Sequence, residues 1–203
     1  MIRRRPPRRR PLGRRRPGAR PPVPPRARQA LDRARRLVEV GRFAEAAVAF
    51  ERLSGRAKQL DMPLRAAGLD LQAGRAYLAA DDVGAAQERA AEAFRWLVRG
   101  GRAERVPQVL KRVQAALREK GYEAQAEQLE QAAARALEDV GLSLEEAGQR
   151  VPQRTAPPPA KRGSLPGSCS GCGAPLIPDE VEWHDAHTAE CLYCGTIVKA
   201  ADA

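Results

Sequence analysis

All four cysteines of the chain lie near its C-terminus, in two Cys-x-x-Cys pairs. They are Cys169, Cys172, Cys191 and Cys194. A two-residue gap lets both sulfurs of a pair face one ion, about 2.3 Å from zinc, and two such pairs complete a tetrahedron. A glycine follows each pair, at Gly173 and Gly195, where a tight turn often needs a positive φ. The spacing therefore predicts one structural Zn²⁺ per chain, bound by these four thiolates.

The segment that holds the cysteines, residues 168–199, is too short to fold around an apolar core of its own. Structural zinc can contribute on the order of 10 kcal/mol or more to folding, so the metal would replace that core. The stretches VEW before the second pair and TIVKA after it predict short strands, with room for a hairpin between the pairs. The pattern over Cys169–Val198 resembles the zinc-ribbon family. This resemblance implies a small β fold and leaves the function open, since ribbons bind nucleic acid, bind protein or only fold.

Other chemistries also use cysteine pairs. A thioredoxin-like redox site needs one Cys-x-x-Cys after a strand in a βαβ unit, and the sequence predicts no such unit. A rubredoxin-like iron site or an iron–sulfur cluster also uses four cysteines, so the sequence leaves iron open. Four cysteines leave no open position for a catalytic zinc.

Three further side chains near the second pair could take part in a site. We expect neither His184 nor His187 to bind the metal, because four thiolates complete its shell. We expect Trp183 to pack on the hairpin. The alternative, stacking on a nucleic-acid base, would need a basic groove beside the ring.

Residues 27–148 are rich in Ala, Leu, Arg, Glu and Gln, which favour helix, and their apolar residues recur at helical spacing. Three predicted turns recur at a constant interval, and an alanine occupies the same position after each turn. The turns are at Gly41, Asp81 and Gly121, and the alanines are Ala46, Ala86 and Ala126. Self-similarity at this period is typical of helical solenoids, so the sequence predicts about three helical hairpins.

Two stretches of this region resemble the tetratricopeptide-repeat family: GRFAEAAVAFERL its second helix, and LQAGRAYLAADD the end of its first. The matching residues are Gly41, Phe43, Ala46 and Phe50 in the second-helix pattern, and Gly74 and Tyr77 in the first-helix pattern. The chain departs from the family in its longer period and in the missing aromatics of the third unit. The resemblance implies a mainly α domain that holds a peptide or protein in the concave face formed by its first helices.

The basic charge of the chain lies mostly outside the predicted domains. The net charge is +11, yet residues 1–28 carry twelve arginines and no acid, while residues 29–148 carry 19 basic and 19 acidic residues. Residues 1–26 are predicted to be a disordered Arg/Pro-rich arm. The arm could bind RNA, DNA or another polyanion. It could also be a solvated tail, or upstream sequence if translation starts at Val23.

The two predicted domains are joined by residues 149–167, which hold five prolines and are predicted to be an extended linker. We therefore expect the helices and the ribbon to share no core, so that metal removal would unfold residues 168–199 and leave the helices intact. Residues 168–203 carry one lysine against six acids, a charge of −5, and four thiolates with Zn²⁺ would bring it to about −7. A negatively charged ribbon would repel phosphate, so the charge favours docking to a protein over binding to nucleic acid.

These features together predict a non-catalytic protein-interaction adaptor or scaffold with a protein or peptide partner. The alternative is a nucleic-acid-associated protein that binds through the arm. The sequence has no phosphate-binding loop, no dinucleotide-binding glycine pattern and no Ser/His/Asp set, so we expect no enzyme. It also has no apolar stretch long enough for a membrane helix and no apolar segment behind its basic N-terminus, which predicts a cytoplasmic location.

Overall fold

The computed structural model describes residues 25–150, 162–179 and 181–201, and its mainly α fold with a small C-terminal sheet confirms the predicted class. The helices are α1 (Pro25–Glu39), α2 (Phe43–Gln59), α3 (Pro63–Ala79), α4 (Val83–Arg99), a 3-10 turn (Ala103–Arg105), α5 (Val106–Glu119), α6 (Glu123–Glu138) and α7 (Leu144–Gln149). Most of the predicted arm and linker, residues 1–24 and 151–161, lies outside the described residues. Among the described residues, no helix is both long enough and apolar enough to cross a membrane.

The first six helices all end in the same kind of turn, and these turns recur at a constant interval along the chain. Each turn has one residue with positive φ, at Gly41, Asp61, Asp81, Gly101, Gly121 and Gly141. The next amide donates to the carbonyl five positions back, as from Arg42 to Leu37 at 2.8 Å, which is the Schellman C-cap. Glycine adopts this left-handed conformation freely, and aspartate tolerates it. The predicted repeat is therefore made of two helix–turn units of equal length.

Helix α3 lies at the centre of the helical domain and packs between α2 and α4. Eleven of its 17 residues are buried, mostly alanine, glycine and leucine. Small side chains let the neighbouring backbones come close: a Cβ on Gly74 would lie 3.2 Å from the carbonyl oxygen of Ala86. The buried Asp70 has Lys58 at 2.8 Å and Arg89 at 3.8 Å, so its charge is paired within the helical domain.

The C-terminal part, here called the sheet module (residues 162–201), holds a three-stranded antiparallel sheet in the order β1-β2-β3. Its strands are β1 (Glu182–Trp183), β2 (Thr188–Glu190) and β3 (Ile197–Lys199). The strands predicted in VEW and TIVKA are confirmed as β1 and β3. Strand β2, which the sequence pattern did not predict, forms the hairpin with β1 and pairs Ala189 with Trp183. The module also begins earlier than expected, because Ser164, placed in the predicted linker, pairs with Ala201.

The sheet module packs on the helical domain, against α1, α3, the 3-10 turn and α5. A single cluster of buried residues joins the four cysteines to helical core residues such as Leu71 of α3 and Val109 of α5. Gly68 of α3 lies directly under the cysteines, because a Cβ there would be 2.8 Å from the Cβ of Cys194 and 2.9 Å from that of Cys172. The expectation that the helices and the cysteine segment share no core is therefore wrong. A linker's composition does not decide whether the domains it joins pack together.

We expect Gly68→Ala to destabilise the whole protein by about 1–3 kcal/mol, because the new methyl group would overlap two cysteine side chains that are packed against α3. Gly55→Ala in α2 is the matched control. A Cβ there meets no atom within 4 Å, so that variant should gain up to about 1 kcal/mol from helix propensity. Urea unfolding followed by circular dichroism measures both values. Equal stabilities of the two variants would contradict the close contact at Gly68.

Candidate metal centre

The structure brings all four predicted ligands together in one buried cluster. The four Sγ atoms all lie within 4.8 Å of one another. Cys169 and Cys194 have their sulfurs 3.6 Å apart, and the sulfurs of Cys172 and Cys191 are 3.8 Å apart. A tetrahedron with metal–sulfur bonds of about 2.3 Å has edges of about 3.8 Å. The four side chains are 0–1% exposed, so the cluster could hold a metal ion away from solvent.

Each Cys-x-x-Cys pair lies on a tight turn that aims both sulfurs at the same point. In the first turn the amide of Gly173 donates to the carbonyl of Cys169 at 2.9 Å, and in the second that of Gly195 donates to Cys191 at 2.8 Å. Both glycines have positive φ, at 85° and 65°, as the sequence predicted. The amide of Gly171 also donates to the sulfur of Cys169 at 3.3 Å, a contact that favours the thiolate.

The thiols of this cluster cannot all ionise without a compensating cation. Hydrogen bonds from Cys172 and the other two thiols hold the pKa of Cys169 well below that of a free thiol. The pKa of Cys172 and that of Cys194 rise well above the usual value, first because each thiol donates to Cys169 and also because both are buried. A divalent cation at the centre would replace these protons and let four thiolates coexist. The donor set therefore fits a metal.

Arginines from the helical domain surround the cluster. Arg35 of α1 donates to the carbonyl of Cys169, and Arg105 donates to the carbonyls of Cys191 and Leu192 at 2.8 and 3.0 Å. Burial lowers the pKa of Arg65 in α3, and the negative thiolates of Cys194, Cys172 and Cys169 oppose that shift. Four thiolates around a divalent ion carry a net charge of −2, so these guanidinium groups would stabilise it through a low-dielectric interior.

A second buried network ties the sheet module to the helices beside the cluster. Glu190 of β2 is 3% exposed, and its carboxylate pairs with Arg105 at 2.7 Å and with Arg102. His184 places its Nε2 3.1 Å from the same carboxylate. The group of potential ligands found among the described residues contains neither histidine. His184 thus belongs to the network between the sheet module and the helices.

Trp183, between the two cysteine pairs, packs inside the sheet module. It is 2% exposed, and its Nε1 donates to the carbonyl of Pro178 at 2.8 Å. A nucleic-acid base could not stack on a ring buried to this degree. The predicted packing role of Trp183 is therefore confirmed.

The cysteine pattern does not predict the helical residues that contact the cluster, above all Gly68, Arg35 and Arg105. Arginine is so frequent in this chain that composition offers no signal for the particular side chains that face the cysteines. Gly68 did offer one, because an isolated glycine inside a helix often marks a close packing contact.

Comparison with known proteins found no matching family model, no similar curated protein and no similar solved structure. What the site does is therefore argued from its own geometry.

Removing the metal should destabilise the helices as well as the sheet module, because the cysteines belong to the same core as α3 and α5. With a chelator, or in Cys191→Ser, we expect the melting temperature of the helical signal to fall by roughly 10 °C or more. Far-UV circular dichroism reports the helices, and native mass spectrometry reports the metal. His184→Ala and His187→Ala should retain one metal ion per chain. If the melting temperature of the helices did not change after metal removal, the helices and the sheet module would be two independent domains.

Arg105→Met should cost about 3 kcal/mol, because it leaves the buried Glu190 carboxylate short of a helical partner and removes donors from two carbonyls of the sheet module. Arg118→Met is the matched control. That arginine is 48% exposed and pairs with Glu123 at 3.3 Å, so its loss should cost less than about 1 kcal/mol. Chemical denaturation of the metal-loaded proteins gives both values. If both variants unfolded at the same denaturant concentration, the ion pairs of Glu190 would contribute no more to stability than an exposed pair.

Proposed function

We propose that the protein is a non-catalytic protein-interaction scaffold, in which one structural Zn²⁺ makes the sheet module a zinc ribbon and fastens it to a tetratricopeptide-like helical unit. The observation that carries this proposal is the complete and buried cysteine set within a core shared by both parts. Four thiolates fill a tetrahedral shell and leave no position for a substrate or a reactive water. A metal held in this way contributes to folding and not to a reaction.

We assign zinc and not iron because the role proposed for the metal is structural and involves no change of oxidation state. Zinc has no accessible second oxidation state and accepts tetrahedral thiolate coordination without strain. Native mass spectrometry of the purified protein distinguishes zinc from iron by mass. A coloured protein with bound iron would overturn the assignment of the metal.

The sheet module occupies part of the side of the helical unit on which α1 and α3 lie, where a tetratricopeptide-like repeat would hold its peptide. That part of the side is closed to a protein partner. The first hairpin, α1 and α2, offers an open surface, since it presents three exposed valines: Val38 at 39%, Val40 at 67% and Val48 at 40%. The end repeat of a solenoid usually has a polar outer face, so exposed apolar residues there favour contact with another protein.

The acidic charge of the sheet module supports this scaffold less directly than its composition suggested. Glu190 is buried against Arg102 and Arg105, and Glu182 lies 3.3 Å from Arg105. Part of the negative charge thus attaches the module to its own helices. The partner surface is therefore proposed on the first hairpin and not on the sheet module.

A second candidate function is nucleic-acid association, favoured by the arginines of α1. Arg26, Arg28, Arg33 and Arg36 are exposed on this helix and continue the basic composition of residues 1–24 onto the folded domain. Each phosphate contact of this kind releases counterions and makes the affinity fall steeply with salt.

One binding experiment distinguishes the two functions. It uses two baits, the full chain and the chain without residues 1–24, each with and without nuclease. For the scaffold, we expect a specific protein that remains bound after nuclease treatment and when residues 1–24 are deleted. Val40→Asp/Val48→Asp should abolish its binding, and Val140→Asp, at a valine 49% exposed by the α6–α7 turn, should not. Binding that nuclease removes, that falls with salt and that needs residues 1–24 would favour the second candidate. The scaffold proposal fails if neither bait retains a specific protein.

A further inference from the structure

Helix α1 has an exposed outer face that carries three arginines. The helix packs against α2 and buries Leu31 and Ala34 on its inner side. Arg26, Arg33 and Arg36 are exposed, and their spacing of seven and three residues places them in one line along the helix. None of the three makes an ion pair or a hydrogen bond with any described residue. We call these three residues the basic stripe.

Helix α6, near the other end of the helical unit, has the opposite charge on its outer face. Glu127, Glu130 and Glu138 are exposed, with spacings of three and eight residues that again place them along one side. They too make no ion pair or hydrogen bond within the part of the chain that the structure describes. The inner side of α6 is buried through residues such as Leu129 and Ala133. We call the three glutamates the acidic stripe.

The two stripes match when α1 and α6 are placed side by side in opposite directions. At a rise of about 1.5 Å per residue, the arginines are separated by about 10.5 and 4.5 Å along their helix, and the glutamates by about 12 and 4.5 Å along theirs. The two sets therefore meet in register to within the rise of one residue. The pairs would be Arg26 with Glu138, Arg33 with Glu130 and Arg36 with Glu127.

This pairing cannot form within one copy of the described fold. Helix α1 packs against α2, while α6 packs against α4, α5 and α7, and no residue of one stripe contacts the other. Consecutive helices of the unit run in opposite directions because they form hairpins. Helix α1 of a second copy, placed beside α6, would continue this alternation.

From this match we infer that the protein associates head to tail, with the basic stripe of one copy docked on the acidic stripe of the next. The contact joins two different surfaces, so it produces a chain of copies or a closed ring. Exposed ion pairs are individually weak and are screened by salt, so the association is weak and favoured at low ionic strength. Nucleic acid fits these observations less well, because its phosphates match the arginines of α1 and repel the glutamates of α6.

Sedimentation velocity of the full, metal-loaded chain, free of nucleic acid and of other proteins, tests the association. The average mass should rise with protein concentration, with a dissociation constant of about 100 μM at low salt and one at least tenfold weaker at about 0.5 M salt. A monomer at every concentration up to about 1 mM at low salt would overturn the proposal. An association that salt does not weaken would overturn it as well.

Charge reversal of either stripe should weaken the association at least tenfold, because like charges would then face each other. Arginine and glutamate have similar helix propensities, so these exposed substitutions should leave each helix intact. The control reverses three exposed cations outside both stripes and should not weaken the association. The α1 variant is Arg26→Glu/Arg33→Glu/Arg36→Glu, the α6 variant is Glu127→Arg/Glu130→Arg/Glu138→Arg, and the control is Arg52→Glu/Lys111→Glu/Lys199→Glu. Equal association of the α1 variant and the control would contradict the contact.

A mixture of the two stripe variants gives the sharpest test. The reversed stripe on α1 of one variant is complementary to the reversed stripe on α6 of the other, and the two unaltered stripes of the mixture are also complementary. An equimolar mixture should therefore recover the association that neither variant shows alone. Misfolding of either variant would not be corrected by mixing, and melting temperatures check each variant separately. No recovery from two folded variants would overturn the proposal.

The same proteins distinguish two other partners of the stripes. If deletion of residues 1–24 abolishes the association and the α1 variant retains it, the acidic stripe binds those residues and the proposal is wrong. It is also wrong if the α1 variant associates normally but loses salt-dependent binding of single-stranded DNA, since the arginines would then bind nucleic acid. The inference does not depend on the scaffold function, because it uses purified protein alone and the arginines of α1 in place of the valines of the first hairpin.

Discussion

Four buried thiols around one point form the constraint on which the rest of the structure depends. They cannot carry four negative charges in an apolar interior unless a cation lies between them and positive groups lie around them. The cation is the metal that the cluster can hold, and the surrounding charge comes from Arg35, Arg65 and Arg105 of the helical domain. This need for outside charge explains why the sheet module is not a separate unit. Its electrostatics are completed by helices far away in the sequence.

The helical domain is built to receive the sheet module. Evenly spaced C-caps end its helices at nearly equal lengths. As a result, α1, α3 and α5 lie on the side that meets the cysteines. Small residues on α3 allow the contact, and Gly68 lies directly against two cysteine side chains. Part of the side formed by α1, α3 and the 3-10 turn is thus covered by the chain itself. Two grooves of about 350 and 820 Å³ remain beside the sheet module among the described residues, and the outer face of the first hairpin is also open.

The acidic residues of the sheet module have a different role in the structure from the one that the composition suggested. The acidic excess of the sheet module, which in the sequence suggested a surface for a partner, includes Glu190, and this side chain is buried against Arg102 and Arg105. Buried ion pairs add little net stability but are costly to break, so they fix which surfaces meet. The pair between Glu190 and Arg105 gives the docking of the module on the helices a specific orientation. The buried side-chain nitrogen of Gln72 in α3, by contrast, meets no acceptor among the described residues.

The sequence by itself determined the features that depend on short spacings. The ligand set follows from Cys-x-x-Cys pairs, the knuckle turns follow from Gly173 and Gly195, and the hairpins follow from the turns at Gly41, Asp81 and Gly121. The sequence also contains the signal for the shorter helix–turn unit, because Asp61, Gly101 and Gly141 occupy the positions midway between or after those turns. Only the tertiary structure decided that the sheet module lies on the helices, since Arg105 contacts Cys191 across most of the second half of the chain. Contacts of that separation depend on shape and charge across two folded surfaces, which no local pattern encodes. For the same reason Gln72 is an ordinary helical glutamine in the sequence and a buried donor, unpaired among the described residues, in the fold.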